Sequence, residues 1–162
     1  MKKIVWLAIA AGAFYAHSRF VFSEGNITRW MNQQDQMTFE GKEKVCDAFS
    51  KDIQVSMVSR SPQGNAAFEG GFDEYCDYTK KAGLMLRATR ARLNVGTEVE
   101  RVVPSGFPWL TATATSRHTT TMAIANMPSI TEASEETTVF KRTLSGLQVV
   151  RLDVVSESRL NN

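Results

Sequence analysis

The side chains best suited to acid-base chemistry lie in the second half of the chain. His118 is one of only two histidines, and it falls on the apolar side of a run in which apolar and polar residues alternate. Asp153 lies two positions from Arg151, on the same side of another alternating run. An isomerisation or dehydration needs few catalytic groups and no local motif. A plainer interpretation stays open for each residue: His118 as a core residue, and Asp153 as half of an exposed ion pair.

Other kinds of catalytic site find no support in the sequence. It contains no HExxH motif, no Ser/His/Asp order of the hydrolase type and no set of Cys and His with metal-ligand spacing. We therefore predict neither a metal nor a cofactor, and we favour a protein that is not an enzyme. The net charge is only +2, with Lys and Arg scattered among Asp and Glu, so we expect no nucleic-acid partner.

An apolar run near the N-terminus points to export. Two lysines precede residues 4–22, which are apolar except at His17, Ser18 and Arg19. Because a membrane span needs roughly 20 apolar residues, we favour an uncleaved anchor in the inner membrane, with the rest of the chain on the periplasmic or extracytoplasmic side. The alternative is a signal peptide cut after Ala13, which would leave a protein secreted to the periplasm.

The remainder, residues 26–162, has the length of one domain, and residues 1–25 supply the signal or anchor segment with a short linker. Apolar residues make up 43% and charged residues 22%, which is typical of a globular protein and not of a disordered one. Cys46 and Cys76 can form a disulfide in an oxidising compartment, closing a loop of about 30 residues. Two buried free thiols are the alternative.

Apolar periodicity predicts two amphipathic helices before most of the strands. Asn26 caps the first helix, which runs from Ile27 to Phe49 and carries Asp35 outside its apolar face. The second helix begins after Gly70-Gly71 and ends at Gly83. Both helices are expected to bury their apolar faces against the strands.

Alternating, β-branched runs predict the strands. On the C-terminal hairpin Phe140 and Leu144 share one face of the first strand, and Val150, Leu152 and Val154 share one face of the second. Helices followed by antiparallel strands indicate an α+β fold, with the helices packed on one side of a strongly curved antiparallel sheet. The predicted strands are residues 53–58, 66–68, 84–95, 97–103 and 109–125, then a hairpin around a Ser145-Gly146 turn.

The order of these elements resembles a known superfamily. Three segments carry the resemblance: Phe68-Glu69-Gly70-Gly71-Phe72-Asp73-Glu74-Tyr75, the Ser145-Gly146 hairpin and the final Val154-Val155-Ser156-Glu157-Ser158. They are similar to the nuclear-transport-factor-two-like superfamily of cone-shaped α+β domains. That superfamily includes ketosteroid-isomerase-like enzymes. The resemblance runs from Asn26 to Arg159 and implies a cystatin-like α+β roll with a pocket between the helices and the concave sheet. The scaffold serves enzymes, ligand binders, dimerisation modules and secretion machinery, so it does not select a function.

Enzymes of that superfamily place an acid and a hydrogen-bond donor in the pocket. The resemblance therefore makes Asp52, which follows the first helix, a candidate acid beside Asp153. Tyr75, on the packed face of the second helix, becomes a candidate donor beside His118. Asp52 as a turn residue and Tyr75 as a core residue are the alternatives.

We therefore predict a membrane-anchored or exported domain of the cell envelope that is not catalytic. It binds a protein partner, or a second copy of itself, through the curved sheet. The alternative is a protein that uses the pocket to bind a small apolar ligand, or to act as an isomerase or dehydratase. A deep pocket with a carboxylate of raised pKa would favour the alternative, and a pocket filled by Phe, Met and Trp would exclude it.

Overall fold

Helices packed on a six-stranded sheet make up the protein in a computed structural model, which describes residues 2–125, 127–144 and 146–161. The helices are α1 (Lys2–Val21), α2 (Glu24–Phe39) and α3 (Phe72–Ala88), and a 3-10 helix spans Glu43–Ala48. The strands are β1 (Phe49–Ser61), β2 (Gly64–Gly70), β3 (Arg92–Pro104), β4 (Thr111–Ala123), β5 (Ser129–Thr143) and β6 (Gly146–Asn161). The predicted α+β fold with a curved antiparallel sheet is confirmed.

The strands form one sheet in the order β2-β1-β6-β5-β4-β3. Neighbouring strands are antiparallel, except that β1 and β6 run parallel. One row across the sheet aligns Ala114, Thr138, Leu152 and Val55, and all four residues are buried. This row lies on the concave face, which α2 and α3 cover.

The main core lies between α2 and the concave face of the sheet. Phe140 is fully buried, and its ring meets that of Trp30 edge to face with 5.1 Å between the centroids. Ile27 of α2 is also fully buried. Burying a side chain of this size stabilises the fold by roughly 1.5–3 kcal/mol.

The N-terminal helix is exposed along most of its length. Its segment Ile4–Val21 has a mean hydropathy of 1.4 and is long and apolar enough to cross a membrane. Its last turns pack on the rest of the chain: the hydroxyl of Ser18 donates to the carbonyl oxygen of Trp109 at 2.6 Å, and the rings of Tyr15 and Trp109 lie 4.9 Å apart. One apolar helix is therefore present where the sequence predicted it, joined to the fold at its C-terminal end.

The first amphipathic helix ends earlier than predicted. Ser23 is the N-cap residue of α2, so Asn26 lies inside the helix and does not cap it. The helix stops at Phe39 because Gly41 follows with a positive φ of 61°, a conformation that reverses the chain and suits glycine. Phe49 begins β1 instead of ending the helix. Apolar periodicity across this stretch therefore predicted burial correctly and helical continuity wrongly.

The 3-10 helix and α3 are tied together by a disulfide. Cys46 and Cys76 are bonded, with their Cα atoms 5.5 Å apart, and both residues are buried. Val45 packs in the same small cluster beside Phe72. In the chain-entropy description, a crosslink that closes a loop of this size stabilises a protein by about 3 kcal/mol.

Helix α3 continues past Gly83, which was predicted to end it. A Cβ atom at Gly83 would overlap the carbonyl oxygen of Thr38 in α2, so the two helices approach closely only because this residue has no side chain. The helix runs on to Ala88, and residues 84–88 are not the strand that alternation predicted. Strand β3 then runs through Gly96 without a break.

The C-terminal hairpin is present, with a different connection. Thr143 pairs with Gly146, so Gly146 belongs to β6 and not to the turn, and Ser145, the other residue of the predicted turn, lies outside the described residues. Leu144 is fully exposed and does not share the buried face of Phe140. A register shift pairs Phe140 with Val149, so Val149 and not Val150 lies on the buried face with Leu152.

Replacing Gly83 with alanine tests the helix crossing. We expect Gly83→Ala to lower the free energy of unfolding by about 1–3 kcal/mol, because the new methyl group would force α3 away from α2. Gly25→Ala is the matched control, since a Cβ atom there meets nothing within 4 Å. It should leave stability unchanged or raise it by up to about 1 kcal/mol. Urea unfolding in a nonionic detergent measures both, and equal effects of the two substitutions would contradict the close crossing.

Candidate functional site

A cavity of about 290 Å³ lies between the two covering helices and the concave face of the sheet. The apolar part of the cavity wall includes Trp30 from α2, Tyr75 from α3 and Leu152 from β6. Asp35, His118 and Glu136 contribute polar groups to the same wall. The pocket that the resemblance implied is therefore present, and aromatic and methionine side chains do not fill it.

His118 and Glu136 meet on the sheet side of the cavity. The imidazole Nε2 lies 3.4 Å from Glu136 Oε2 and 3.2 Å from the hydroxyl of Ser116. The Nδ1 atom lies 3.1 Å from the hydroxyl of Thr97. Strand pairing brings these groups together, because Thr97 faces His118 across β3 and β4 while Ser116 faces Glu136 across β4 and β5. Contacts at both nitrogens fix the orientation of the ring.

Burial favours the uncharged form of both partners. It lowers the pKa of the His118 imidazole below its ordinary value. It also raises the pKa of the Glu136 carboxyl to about 7, with the negative charges of Asp35 and Glu132 adding to the rise. Near neutral pH the imidazole is therefore neutral while Glu136 exchanges a proton readily, which suits a general acid or base.

Asp35 brings a second carboxyl group to the cavity from α2. Burial raises its pKa to about 6, and the hydroxyl of Thr97 opposes the rise. The prediction that Asp35 lies outside the apolar face of its helix was wrong. Asp35 follows the buried Ile27 and Met31 at successive intervals of four residues, and this spacing places all three on one face.

Tyr75 is the sequence-predicted donor that does reach the cavity. Burial raises the pKa of its hydroxyl, and the negative charge of Glu136 adds to the rise, so the group stays protonated. Its ring packs against Phe49 with 4.8 Å between the centroids. Tyr75 can therefore donate a hydrogen bond to a bound molecule.

The two predicted carboxylates do not line the cavity. Asp52 lies on β1 next to the buried Ile53 and is itself exposed, and a hydrogen bond from the Ser50 hydroxyl lowers its pKa. Asp153 lies on β6 and accepts a hydrogen bond from Arg151 Nε at 2.8 Å, as the ion-pair interpretation predicted. Both project from the opposite side of the sheet because they alternate with inward residues.

Sequence reasoning missed Glu136, although a signal was available. Residues two positions apart on a strand share a face, so Glu136, Thr138 and Phe140 lie on the same face of β5. Because Phe140 was predicted to face the core, Glu136 should face it as well. A carboxylate among inward positions of a strand indicates either a buried ion pair or a functional group. The structure supplies the partner, His118, from the neighbouring strand.

Stability should depend on pH through Glu136. Its pKa is raised by folding, so the folded state holds a proton that the unfolded chain has lost between pH 4.5 and about 7. The free energy of unfolding should therefore fall as pH rises through this interval. Glu136→Gln should remove this loss and be more stable than the wild type at pH 8, by about 3 kcal/mol at most.

Urea unfolding between pH 4 and pH 8 measures this effect. Glu135→Gln is the control, because the neighbouring Glu135 projects outward and pairs with Arg117 at 3.3 Å. An unchanged pH dependence in Glu136→Gln would show that the carboxyl titrates normally. His118 has a lowered pKa, which makes the folded state lose stability as the solution becomes acidic. This opposing contribution is common to both variants, so it cancels in the difference between their free energies of unfolding at each pH.

Solved structures share this architecture, although no family model and no curated protein matches the sequence. An NTF2-like protein with a cystatin-like fold from Novosphingobium aromaticivorans is 17% identical, with a TM-score of 0.64 over 91% of this chain and 86% of that one. A ketosteroid isomerase-like protein from Erwinia carotovora atroseptica is 18% identical, with a TM-score of 0.51 over 76% and 87%. The β subunit of benzoate 1,2-dioxygenase from Burkholderia mallei is 10% identical, with a TM-score of 0.62 over 87% and 92%. The chain therefore has the NTF2-like, cystatin-like fold, preceded by one apolar N-terminal helix.

Proposed function

We propose that this protein binds a small molecule with an apolar body in its cavity and catalyses a proton transfer on it. The observation that carries the proposal is the 3.4 Å contact between His118 Nε2 and Glu136 Oε2 inside a cavity of about 290 Å³. This is the second of the two functions predicted from the sequence. It gains support because the cavity is open and holds carboxyl groups of raised pKa.

Each polar group has a role that its surroundings support. Glu136 is the base, because a pKa of about 7 lets it take a proton at neutral pH and return it. His118, held by Thr97 and Ser116, orients the Glu136 carboxyl from its Nε2 side. Tyr75 donates a hydrogen bond to an oxygen on which negative charge develops. The step is the removal of a proton from a carbon next to a carbonyl group, as in an isomerisation or dehydration.

The protein is also proposed to be exported, with residues 26–162 outside the cytoplasm. Two independent features support this location. Segment Ile4–Val21 is long and apolar enough to span a membrane, and Cys46 is bonded to Cys76, a bond typical of oxidising compartments. An uncleaved anchor through residues 4–22 remains the favoured form, with signal cleavage after Ala13 as the alternative.

The predicted role in binding a protein partner or a second copy remains a prediction. It relies on the outer face of the sheet, where a threonine row on β4 alternates with the buried residues. Arg117, on that face, pairs with Glu100 at 3.1 Å and with Glu135 at 3.3 Å. Such a polar face is equally typical of a strand exposed to water.

Deuterium exchange tests the proton transfer without knowledge of the natural substrate. The probe is 2-tetralone, a rigid aromatic ketone with acidic protons next to its carbonyl group, and proton NMR in D₂O at pD 7.5 follows their loss. We expect the full-length protein to accelerate exchange over buffer. Glu136→Gln should lower that acceleration by about 100-fold or more, the usual contribution of a general base.

Glu135→Gln is the matched control and should exchange like the wild type, because this carboxylate lies on the outer face and pairs with Arg117. Equal exchange in the Glu136→Gln and Glu135→Gln variants would remove Glu136 from the mechanism. No acceleration by the wild type, with 2-tetralone shown to bind, would count against proton-transfer chemistry in this cavity.

The redox state of the cysteines in the native host tests the location. Cells are quenched in acid, free thiols are alkylated, and mass spectrometry examines the peptides that contain Cys46 and Cys76. Exported protein should carry the two cysteines linked and unalkylated, and the N-terminal peptide identifies an anchored or a cleaved form. Alkylated cysteines in chains with an intact N-terminus would place the domain in a reducing compartment.

A further inference from the structure

The cavity wall carries an excess of negative charge. Asp35, Glu132 and Glu136 all line it, and the negative charges of Asp35 and Glu132 both repel that of Glu136. Among the lining residues that the structure describes, there is no lysine or arginine to balance them. An anionic ligand would add to the repulsion, whereas a cation would relieve it.

The same wall also contains three buried side-chain oxygens that have no hydrogen-bond partner among the described residues. They are Gln34 Oε1, Asp35 Oδ2 and Thr138 Oγ1. Thr138 is only 2% exposed, and all three residues line the cavity. Buried polar atoms are rarely left unpaired, because each one costs about 1–3 kcal/mol. A ligand that brings several hydrogen-bond donors would satisfy them.

Aromatic rings supply the rest of the recognition surface. Trp30, Tyr75 and Tyr78 line the cavity, and the rings of the two tyrosines are nearly parallel, with 6.3 Å between the centroids. The face of such a ring attracts a cation and also packs against an apolar or aromatic body. The wall therefore suits a molecule that is positively charged at one end and apolar at the other.

From these three features we infer that the ligand of the cavity is a small organic amine, with a protonated nitrogen among the carboxyl groups and an apolar body against the aromatic rings. The ammonium group donates to Asp35 and to the unpaired oxygens of Gln34 and Thr138. An alcohol of the same shape has only one hydrogen-bond donor and no charge. It would leave more of the buried oxygens without a hydrogen bond and would not balance the carboxylates. The inference rests on the proposed function for the existence of a binding cavity, and it names the class of molecule that enters it: an amine whose apolar body carries the carbonyl group beside which the proton is removed.

Binding should strengthen as the carboxyl groups lose their protons. Asp35 and Glu136 have raised pKa values of about 6 and about 7, so a cation meets both of these carboxyl groups mostly protonated at pH 5 and ionised at pH 8. The titratable groups that line the cavity with Glu136 are Asp35 from α2, Tyr75 and Tyr78 from α3, His118 from β4 and Glu132 from β5. His118 has a lowered pKa and stays neutral at pH 8, so it does not offset the charge.

Three probes of one shape and different charge test the inference. They are 2-phenylethylamine, 2-phenylethanol and phenylacetate, titrated by calorimetry into full-length protein in a nonionic detergent at pH 8 and pH 5. At pH 8 we expect the amine to bind at least about tenfold more tightly than the alcohol, and phenylacetate to bind most weakly. At pH 5 the preference for the amine should shrink to about twofold or less.

The variants separate the cavity from the surface. Glu136→Gln should reduce the preference for the amine at pH 8 about tenfold, and Glu135→Gln should preserve it because its carboxylate lies on the outer face. Alcohol binding as tight as amine binding in the wild type would overturn the inference and leave the proposed function standing. Absence of binding by all three probes would overturn the inference, and exchange of 2-tetralone would then decide separately on the proposed function.

Discussion

The close crossing of α2 and α3 is the constraint on which the site depends. The backbone of Gly83 meets the carbonyl of Thr38 where a side chain would not fit. The disulfide between Cys46 and Cys76 ties α3 to the chain that leaves α2. Because α2 carries Asp35 and α3 carries Tyr75, the geometry of the crossing sets where both groups stand above the sheet. A rigid frame of this kind is what preorganised polar groups require.

The polar groups inside the cavity act against the stability of the fold. Burial of Asp35 and Glu136 raises their pKa values, so at neutral pH the folded protein bears the cost of ionising carboxyl groups away from water. The packing of Phe140, Trp30 and Ile27 and the disulfide offset this cost. Side chains that destabilise a fold and yet share one cavity are typical of a functional site, because an apolar core would be more stable.

Sequence patterns predicted the elements well where the chain is regular and failed at glycines. Alternation along β4 placed His118 inside, and it is 7% exposed. Three glycines were interpreted wrongly: Gly41 turns the chain where a helix was expected to continue, Gly83 continues a helix that it was expected to end, and Gly96 lies within an unbroken strand. Glycine either breaks an element or permits a close approach, and only the neighbouring element decides which.

The sequence by itself determined the order of helices and strands, the apolar N-terminal helix and the inward positions of His118 and Tyr75, because these follow from local periodicity. Alternation with Phe140 also indicates that Glu136 faces inward, although this residue was not predicted. The tertiary structure alone decided that Asp35 joins His118 and Glu136 in one cavity, while Asp52 and Asp153 face away from it. The reason is physical: a carboxyl group acquires an unusual pKa only from burial and from neighbouring charges, and here those come from elements distant in sequence.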